Sequence, residues 1–422
     1  METPSMHVVV IGAGIVGCST AVELLERGHR VTLVDPADPG GPQAASYGNG
    51  AFLSPASIIP MSFPGMWRKV PGYLIDRNGP LTIRWRHLPR LLPWLVRFMR
   101  AGATEARLRR TAGMLNALLS DAPARHAALA ARTGLSGLIH RDGLIYAFTD
   151  RAAAGAERLS WQVRRDLGVA LRDLSAEDLH ALVPDLSRHY TYGIMVIEGG
   201  HCSDPGGYVS GLARWCLDRG ATFLRACATG FEAAPRLTAV RTDAGSIPCD
   251  AAVIASGIWS KPLARAAGDR VPLESERGYH VEIPHPGIGP AIPVMPQDGK
   301  MANTMTRGGL RASGQVELAS VDAPPNWNRA EILFRHLLRS YPGLNPSAPR
   351  SHWQGNRPST PDGLPVIGPA RRIPGVFHAF GHGHVGLASA PKTAVLIADL
   401  IEGAAPGLDL MPFSPARFRW TR

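Results

Sequence analysis

The sequence predicts an α/β fold in which two domains are woven from non-contiguous segments. Three observations carry that expectation. A strand–helix–strand unit opens the chain at residues 7–35, and a second glycine-rich turn running into a helix closes it near residues 381–402. Between them, 422 residues with 45% hydrophobic content provide for two or three domains with a buried core. The expected boundaries are 1–85, 200–270 and 350–422 for the domain built on the opening unit, and 86–199 and 271–349 for the other.

His7-Val-Val-Val-Ile11 is an apolar run of strand length. Gly12-Ala-Gly-Ile-Val-Gly17 follows, then a helical stretch through Arg27 with Ile15, Cys18, Val22 and Leu25 on one face and Gly28 as its C-terminal stop. Arg30-Val-Thr-Leu-Val-Asp35 reads as a second strand, parallel to the first because a helix connects them. Residues 36–60 form a Gly/Pro/Ser loop. Residues 87–133 read as helices broken at Pro89, Pro93 and Pro123, and residues 138–198 as short strands alternating with helices. A helix at 206–219 leads to a strand at Thr222-Phe-Leu, a hairpin over 236–254 and the buried strand Ala251-Ala-Val-Ile-Ala255. A β-rich stretch over 271–320 precedes an amphipathic helix at 327–340. Gly375-Val-Phe-His-Ala379 is the last strand, and residues 386–402 the last helix.

Composition narrows the function. Lys and Arg number 45 against 34 Asp and Glu, so the net charge is +11, a field that favours anionic partners. The basic residues are scattered and accompany no nucleic-acid module, so no nucleic-acid partner is expected. No run of about 18 uncharged apolar residues occurs, which argues against a membrane span. Residues 85–100 have the pattern of an interfacial amphipathic helix, with Leu91, Leu92, Trp94, Leu95 and Phe98 among arginines; packing into a helical domain is the favoured reading. Cys18, Cys202, Cys216, Cys227 and Cys249 show neither C-x-x-C nor zinc spacing, and point to free thiols in a reducing compartment. No leader precedes the first strand, so a cytoplasmic location is expected. No metal site is expected.

The spacing Gly12-x-Gly14-x-x-Gly17, between a strand and a helix and followed by Asp35 at the end of the next strand, is a dinucleotide fingerprint. Gly12 allows the tight turn, Gly14 the approach of a pyrophosphate and Gly17 the close packing of helix on strand. The expected cradle is Gly12, Ala13, Gly14, Ile15, Val16 and Gly17, with Asp35 and Pro36 at the ribose. Helix N-terminal N–H groups favour the phosphates. The fingerprint alone does not separate FAD from NAD.

Further motifs make that distinction. Ala45-Ser-Tyr-Gly-Asn-Gly50, Ala251-Ala-Val-Ile-Ala-Ser-Gly-Ile-Trp-Ser260, Asn356-Arg-Pro-Ser-Thr-Pro-Asp-Gly-Leu-Pro-Val-Ile-Gly368 and Gly381-His-Gly-His-Val-Gly386 occur in this order. Together they resemble the FAD-dependent D-amino acid oxidase family, and within it the bacterial D-amino acid dehydrogenase (DadA-like) branch, over Val8 to about Glu402. The resemblance implies a Rossmann-like FAD domain interleaved with a substrate domain of mixed sheet and helices. It implies non-covalent FAD, held also by Ala45, Ser46, Asn49 and Gly50, by the backbone near Thr229, by Ser256, Gly257 and Trp259, and by the turn Gly383, His384, Val385, Gly386 and Leu387. Arg357 would grip a substrate carboxylate, a task its rigid fork suits. Tyr279 would be a second carboxylate or lid contact. His384 would either meet the substrate amine or be satisfied by the backbone, and His382 shares that ambiguity.

The implied activity is oxidative deamination of a D-amino acid by hydride transfer from Cα to the flavin, with electrons passing to a quinone or an electron-transfer partner. Glycine, sarcosine, D-hydroxyproline or an opine is the alternative substrate. A non-catalytic flavin-binding redox sensor or subunit is the alternative of another class. The branch also implies at most peripheral contact with the inner membrane.

Overall fold

A computed structural model describes residues 5–66, 79 and 81–418. Residues 1–4, on which the absence of a leader rests, lie outside the described residues, as do 67–78 and 80, assigned above to the first domain. The chain divides into two compact units, Met1–Tyr47 with Gly206–Ser275 and Arg357–Arg422, and Gly48–Pro205 with Glu276–Asn356. The first boundary therefore falls at residue 47 rather than 85. The physical reason is strand pairing, because Phe52–Leu53 and Leu81–Ile83 add to sheets of the second unit.

Among the described residues the first unit carries a six-stranded sheet in the order Thr222–Arg225, Arg30–Asp35, His7–Ile11, Ala251–Ile254, Val376–Phe380, Val366–Pro369. The first five run parallel, and only the last is antiparallel to its neighbour. Val8, Val9, Val10, Leu33 and Val253 are fully buried, as strands covered on both faces require. Strand order departs in both directions from His7–Ile11, so the crevice beyond its C-terminal end is where an open α/β sheet takes a ligand.

The first helix runs Ile15–Glu26 and is buried on most sides through Val22, not on one face alone. The last helix, Gly386–Glu402, explains this by lying alongside it. Arg27, at the C-terminal end of the first helix, reaches Asp399 and Glu402 of the last, each at 2.8 Å. Both helices follow parallel strands, so their N-termini open at the same end of the sheet.

Among the described residues the second unit is built on a nine-stranded mixed sheet. Antiparallel pairing joins Glu274–Ile283 to Gly309–Leu318, whereas Val294–Pro296 runs parallel to Leu144–Phe148. Leu144–Phe148 shows why both faces are apolar. Ile145 and Ala147 enter one core with Val281, Leu333 and Leu337, while Leu144, Tyr146 and Phe148 enter another with Trp161 and Ile194. Helix Leu88–Ala101 runs through both prolines expected to break it. Pro89 sits in the first turn, where its missing N–H costs nothing, and Pro93 is accommodated inside. Among the described residues no helix is long and apolar enough to cross a membrane.

Candidate active site

Local sterics explain the turn after the first strand. Gly12 has φ +106°, and a Cβ there would lie 2.6 Å from the Ala255 carbonyl oxygen, at the end of the neighbouring strand. A Cβ on Gly17 would overlap the Gly12 carbonyl. These two glycines let the turn pass between strand ends and the helix settle on it.

The N-terminus of helix Ile15–Glu26 has no side-chain cap at Gly14 and no acidic residue in its first turn. Ser46 Oγ accepts from the Ile15 N–H at 3.1 Å, so the Ala45–Ser46 turn is anchored to this helix start. Asp35 closes the other side, accepting from the Ala13 N–H at 2.9 Å and the Ala37 N–H at 3.0 Å, which also places Pro36. Each carboxylate oxygen keeps a second lone pair for a ribose hydroxyl. Val16 is buried, so only its backbone is open to a ligand at this turn.

Thr229 lies at a bulge between Ala228 and Gly230, where the ladder skips it. Its backbone groups are thereby turned away from strand pairing, and Ala226, three residues earlier, donates to the Asp35 carbonyl at 3.2 Å. Ser256 and Gly257 follow strand Ala251–Ile254 directly. Gly257 has φ +57°, and the indole of Trp259 is 53% exposed.

The closing turn brings together two residues 27 positions apart. Ser359 and His382 form an antiparallel bridge, and the Gly383 N–H donates to the Pro358 carbonyl at 2.9 Å. The chain then turns at Gly383, φ +53°, and the Arg357 guanidinium lies close enough to His384 to act on its imidazole. Ser359 and His382 point inward and are buried, while Arg357 is half-buried and His384 exposed.

This separates the two histidines. His382 Nε2 lies 3.1 Å from Thr393 Oγ1, and burial pushes its imidazole down to about 3, so it is a packing residue. His384 keeps a solvent-exposed face while protein surrounds it closely. Desolvation first, and the Arg357 guanidinium second, push its imidazole down to about 4, so it is uncharged at neutral pH. Beyond it, helix Gly386–Glu402 starts at Val385 without a side-chain cap or a first-turn acid. Leu387 there is buried.

Asn49 and Gly50 belong to the second unit, separated from Ala45 and Ser46 by the unit boundary. Arg311 donates to the Asn49 carbonyl at 3.2 Å, Thr304 Oγ1 to the Gly50 carbonyl at 2.9 Å, and Ala51, at φ +66°, to Asn49 Oδ1 at 2.8 Å. Trp353 packs where a Gly48 side chain would stand, and His280 stacks on Trp353 at 5.2 Å. Sequence reasoning named none of Arg311, His280 and Trp353. No motif marks them, because sheet pairing alone brings them to this loop.

Tyr279 is corrected. It is 1% exposed, and its hydroxyl donates to Glu317 Oε2 at 2.5 Å while accepting from the Asn326 N–H at 3.0 Å. Burial first and the Glu317 bond second push the phenol up to about 12. The hydroxyl is committed to an internal network and is not a substrate contact.

Two helix N-termini without an acid in the first turn, a glycine turn with no room for a side chain and an acceptor at the second strand end suit a dinucleotide. The pattern of the DAO family, FAD dependent oxidoreductase, matches residues 7–400. The chain belongs to the DAO family of FAD-dependent oxidoreductases. A D-amino-acid oxidase of Bradyrhizobium diazoefficiens is 50% identical over 98% of this chain and 99% of its own. D-amino acid dehydrogenase 2 of Ralstonia nicotianae is 32% identical over 98% and 100%. Among solved structures, glycine oxidase from Geobacillus kaustophilus superposes with a TM-score of 0.75 at 22% identity, covering 98% and 99% of the two chains, which shows the fold. This DAO-family protein is therefore a flavin-dependent amino acid oxidase or dehydrogenase, with FAD as its cofactor.

For this DAO-family chain, Asp35→Ala removes an acceptor of two backbone N–H groups as well as a ribose partner. It should weaken FAD retention about tenfold, since charged hydrogen bonds each contribute about 1.5–3 kcal/mol before water replaces them. The flavin-to-protein absorbance ratio after gel filtration measures it. A full flavin complement would remove Asp35 from the cofactor site.

Proposed function

We propose that this enzyme oxidises a D-amino acid held by its carboxylate on Arg357. The observation that carries the reading is the closing turn, which brings the Arg357 guanidinium close enough to His384 to act on its uncharged imidazole. FAD, bound without a covalent link, supplies the two-electron acceptor for the hydride leaving Cα. Arg357 fixes the carboxylate by paired hydrogen bonds and so orients the Cα–H bond. His384, uncharged, accepts a hydrogen bond from the substrate amine and orients it, while the nearby Arg357 charge favours the amine's neutral form. N–H groups at the start of helix Gly386–Glu402 favour negative charge developing near them. The imino acid that leaves is hydrolysed by water to a 2-oxo acid and ammonia.

A quinone or an electron-transfer partner is the proposed destination of the electrons, supported by the dehydrogenase relatives. The name of the 50% identical relative favours oxygen instead. One experiment addresses substrate and acceptor together. The holoenzyme is mixed anaerobically with D-amino acids, D-proline, glycine, sarcosine and opines, and air or a short-chain quinone is then admitted. D-amino acids should bleach the flavin absorbance, and quinone should restore it faster than air. Bleaching by glycine or an opine alone would overturn the substrate, and faster return in air would overturn the acceptor.

A further inference from the structure

We propose that His280, Arg311 and Thr304 are positioning residues for the flavin, which they serve by holding the loop Gly48–Gly50 with its N–H groups turned outward. The inference rests on the assignment of Asn49 and Gly50 to FAD. Three successive carbonyls of this loop each meet a side chain from a different strand of the second unit's large sheet. His280 Nδ1 lies 3.2 Å from the Gly48 carbonyl, Arg311 Nη1 3.2 Å from that of Asn49, and Thr304 Oγ1 2.9 Å from that of Gly50. Register explains the convergence. Glu282 and Thr304 both stand opposite Arg311, and His280 and Ala302 both stand opposite Ser313, so these side chains share one face of the sheet. Gly50 lets the loop settle onto that face, since a Cβ there would lie 3.0 Å from Ala302 Cβ.

Peptide planarity turns the carbonyl directions into N–H directions. In a trans peptide the N–H points opposite to the C=O, so the N–H groups of Asn49, Gly50 and Ala51 face away from the sheet. Ala51 donates to Asn49 Oδ1 at 2.8 Å, a bond that helps hold it at φ +66°. No acceptor among the described residues meets the N–H of Asn49 or Gly50, and both residues are only half-buried. Two fixed donors are thus left for a ligand. Their supports are themselves fixed. Arg311 Nε bonds Glu282 Oε2 at 2.6 Å, and the Thr306 hydroxyl donates to the same oxygen at 2.9 Å. Burial first and the Arg311 charge second push the His280 imidazole down to about 3. It is therefore neutral, and the nitrogen facing a carbonyl carries its proton. N–H donors aimed in advance favour electron density gained by the ring they meet.

The test is the midpoint potential of the flavin in the holoenzyme, titrated anaerobically against a reference dye. Thr304→Val keeps the shape and drops one bond to the loop. Arg311→Met/Glu282→Leu removes the guanidinium without leaving a buried charge unpaired, and Arg311→Lys keeps the charge without the fork. In Thr304→Val reduced FAD should lose about tenfold in binding relative to oxidised FAD, read as a potential about 30 mV lower. The double variant should fall further, with Arg311→Lys between it and wild type; Thr304→Val decides the matter if the double variant does not fold. A lower urea midpoint with the potential unchanged would mean a purely structural role and overturn the proposal. Gly50→Ala presses the loop off Ala302 and tests the assignment beneath it, so it should shift the flavin absorbance maxima. Unshifted maxima would remove the loop from the cofactor. Shifted maxima, with wild-type potentials in the Thr304 and Arg311 variants, would overturn the positioning role alone.

Discussion

Arg357→Ala should raise the KM for the amino acid substrate by about a hundredfold while the protein remains yellow. The magnitude follows from the interaction lost. A guanidinium gripping a carboxylate makes two charge-assisted hydrogen bonds, and removing them costs about 3 kcal/mol, a factor of about 100. The flavin should stay because the groups assigned to it, namely the Gly12–Gly17 turn, Asp35, Ser46 and the start of helix Gly386–Glu402, do not depend on this side chain. Arg357→Lys keeps the charge but not the planar fork, and should recover only part of the affinity. Steady-state kinetics with the best D-amino acid, beside the flavin absorbance, separate these effects. An unchanged KM with full flavin would remove Arg357 as the carboxylate anchor.

The largest loss of stability is expected from Glu317→Ala. Glu317 is fully buried, as is Arg277, whose Nη1 lies 3.2 Å from it. Arg84 approaches the other carboxylate oxygen at 2.8 Å, and Tyr279 adds its hydroxyl. Arg277 also donates to the Ala323 carbonyl and to Gln354 Oε1, each at 2.8 Å, so the carboxylate neutralises a cation that ties a loop to strand Ser351–Ser359. Removing one partner of a buried pair leaves the other charge uncompensated and costs about 3–5 kcal/mol. Holoenzyme unfolding in urea should show the drop, with Glu317→Gln falling between. A midpoint equal to wild type would mean that water reaches these cations.

Much of the first unit was legible because its constraints are local. A glycine forced to φ +106°, an apolar run of five residues and an acid at a strand end each state a requirement of their own backbone. Helix Leu88–Ala101 was half legible. Its stripe was visible, but proline chemistry suggested breaks, and only packing shows that one arc is buried and the next is open. Tyr279 misled because nothing in the sequence shows which way a strand residue faces. The resemblance offered Tyr279 as a carboxylate or lid contact, yet strand pairing with Gly309–Leu318 turns it onto Glu317 in the interior.

From the order of residues alone came the dinucleotide turn, the parallel opening unit, the family and its flavin, since these rest on short-range sterics and on motifs that keep their spacing. Only tertiary structure brought the Arg357 guanidinium near His384, assigned His382 to packing, divided the Ala45–Gly50 motif between two units and buried the Arg277–Glu317 pair. Each of these depends on which strand lies beside which. That choice is made by burying apolar surface across hundreds of residues, and no local pattern encodes it.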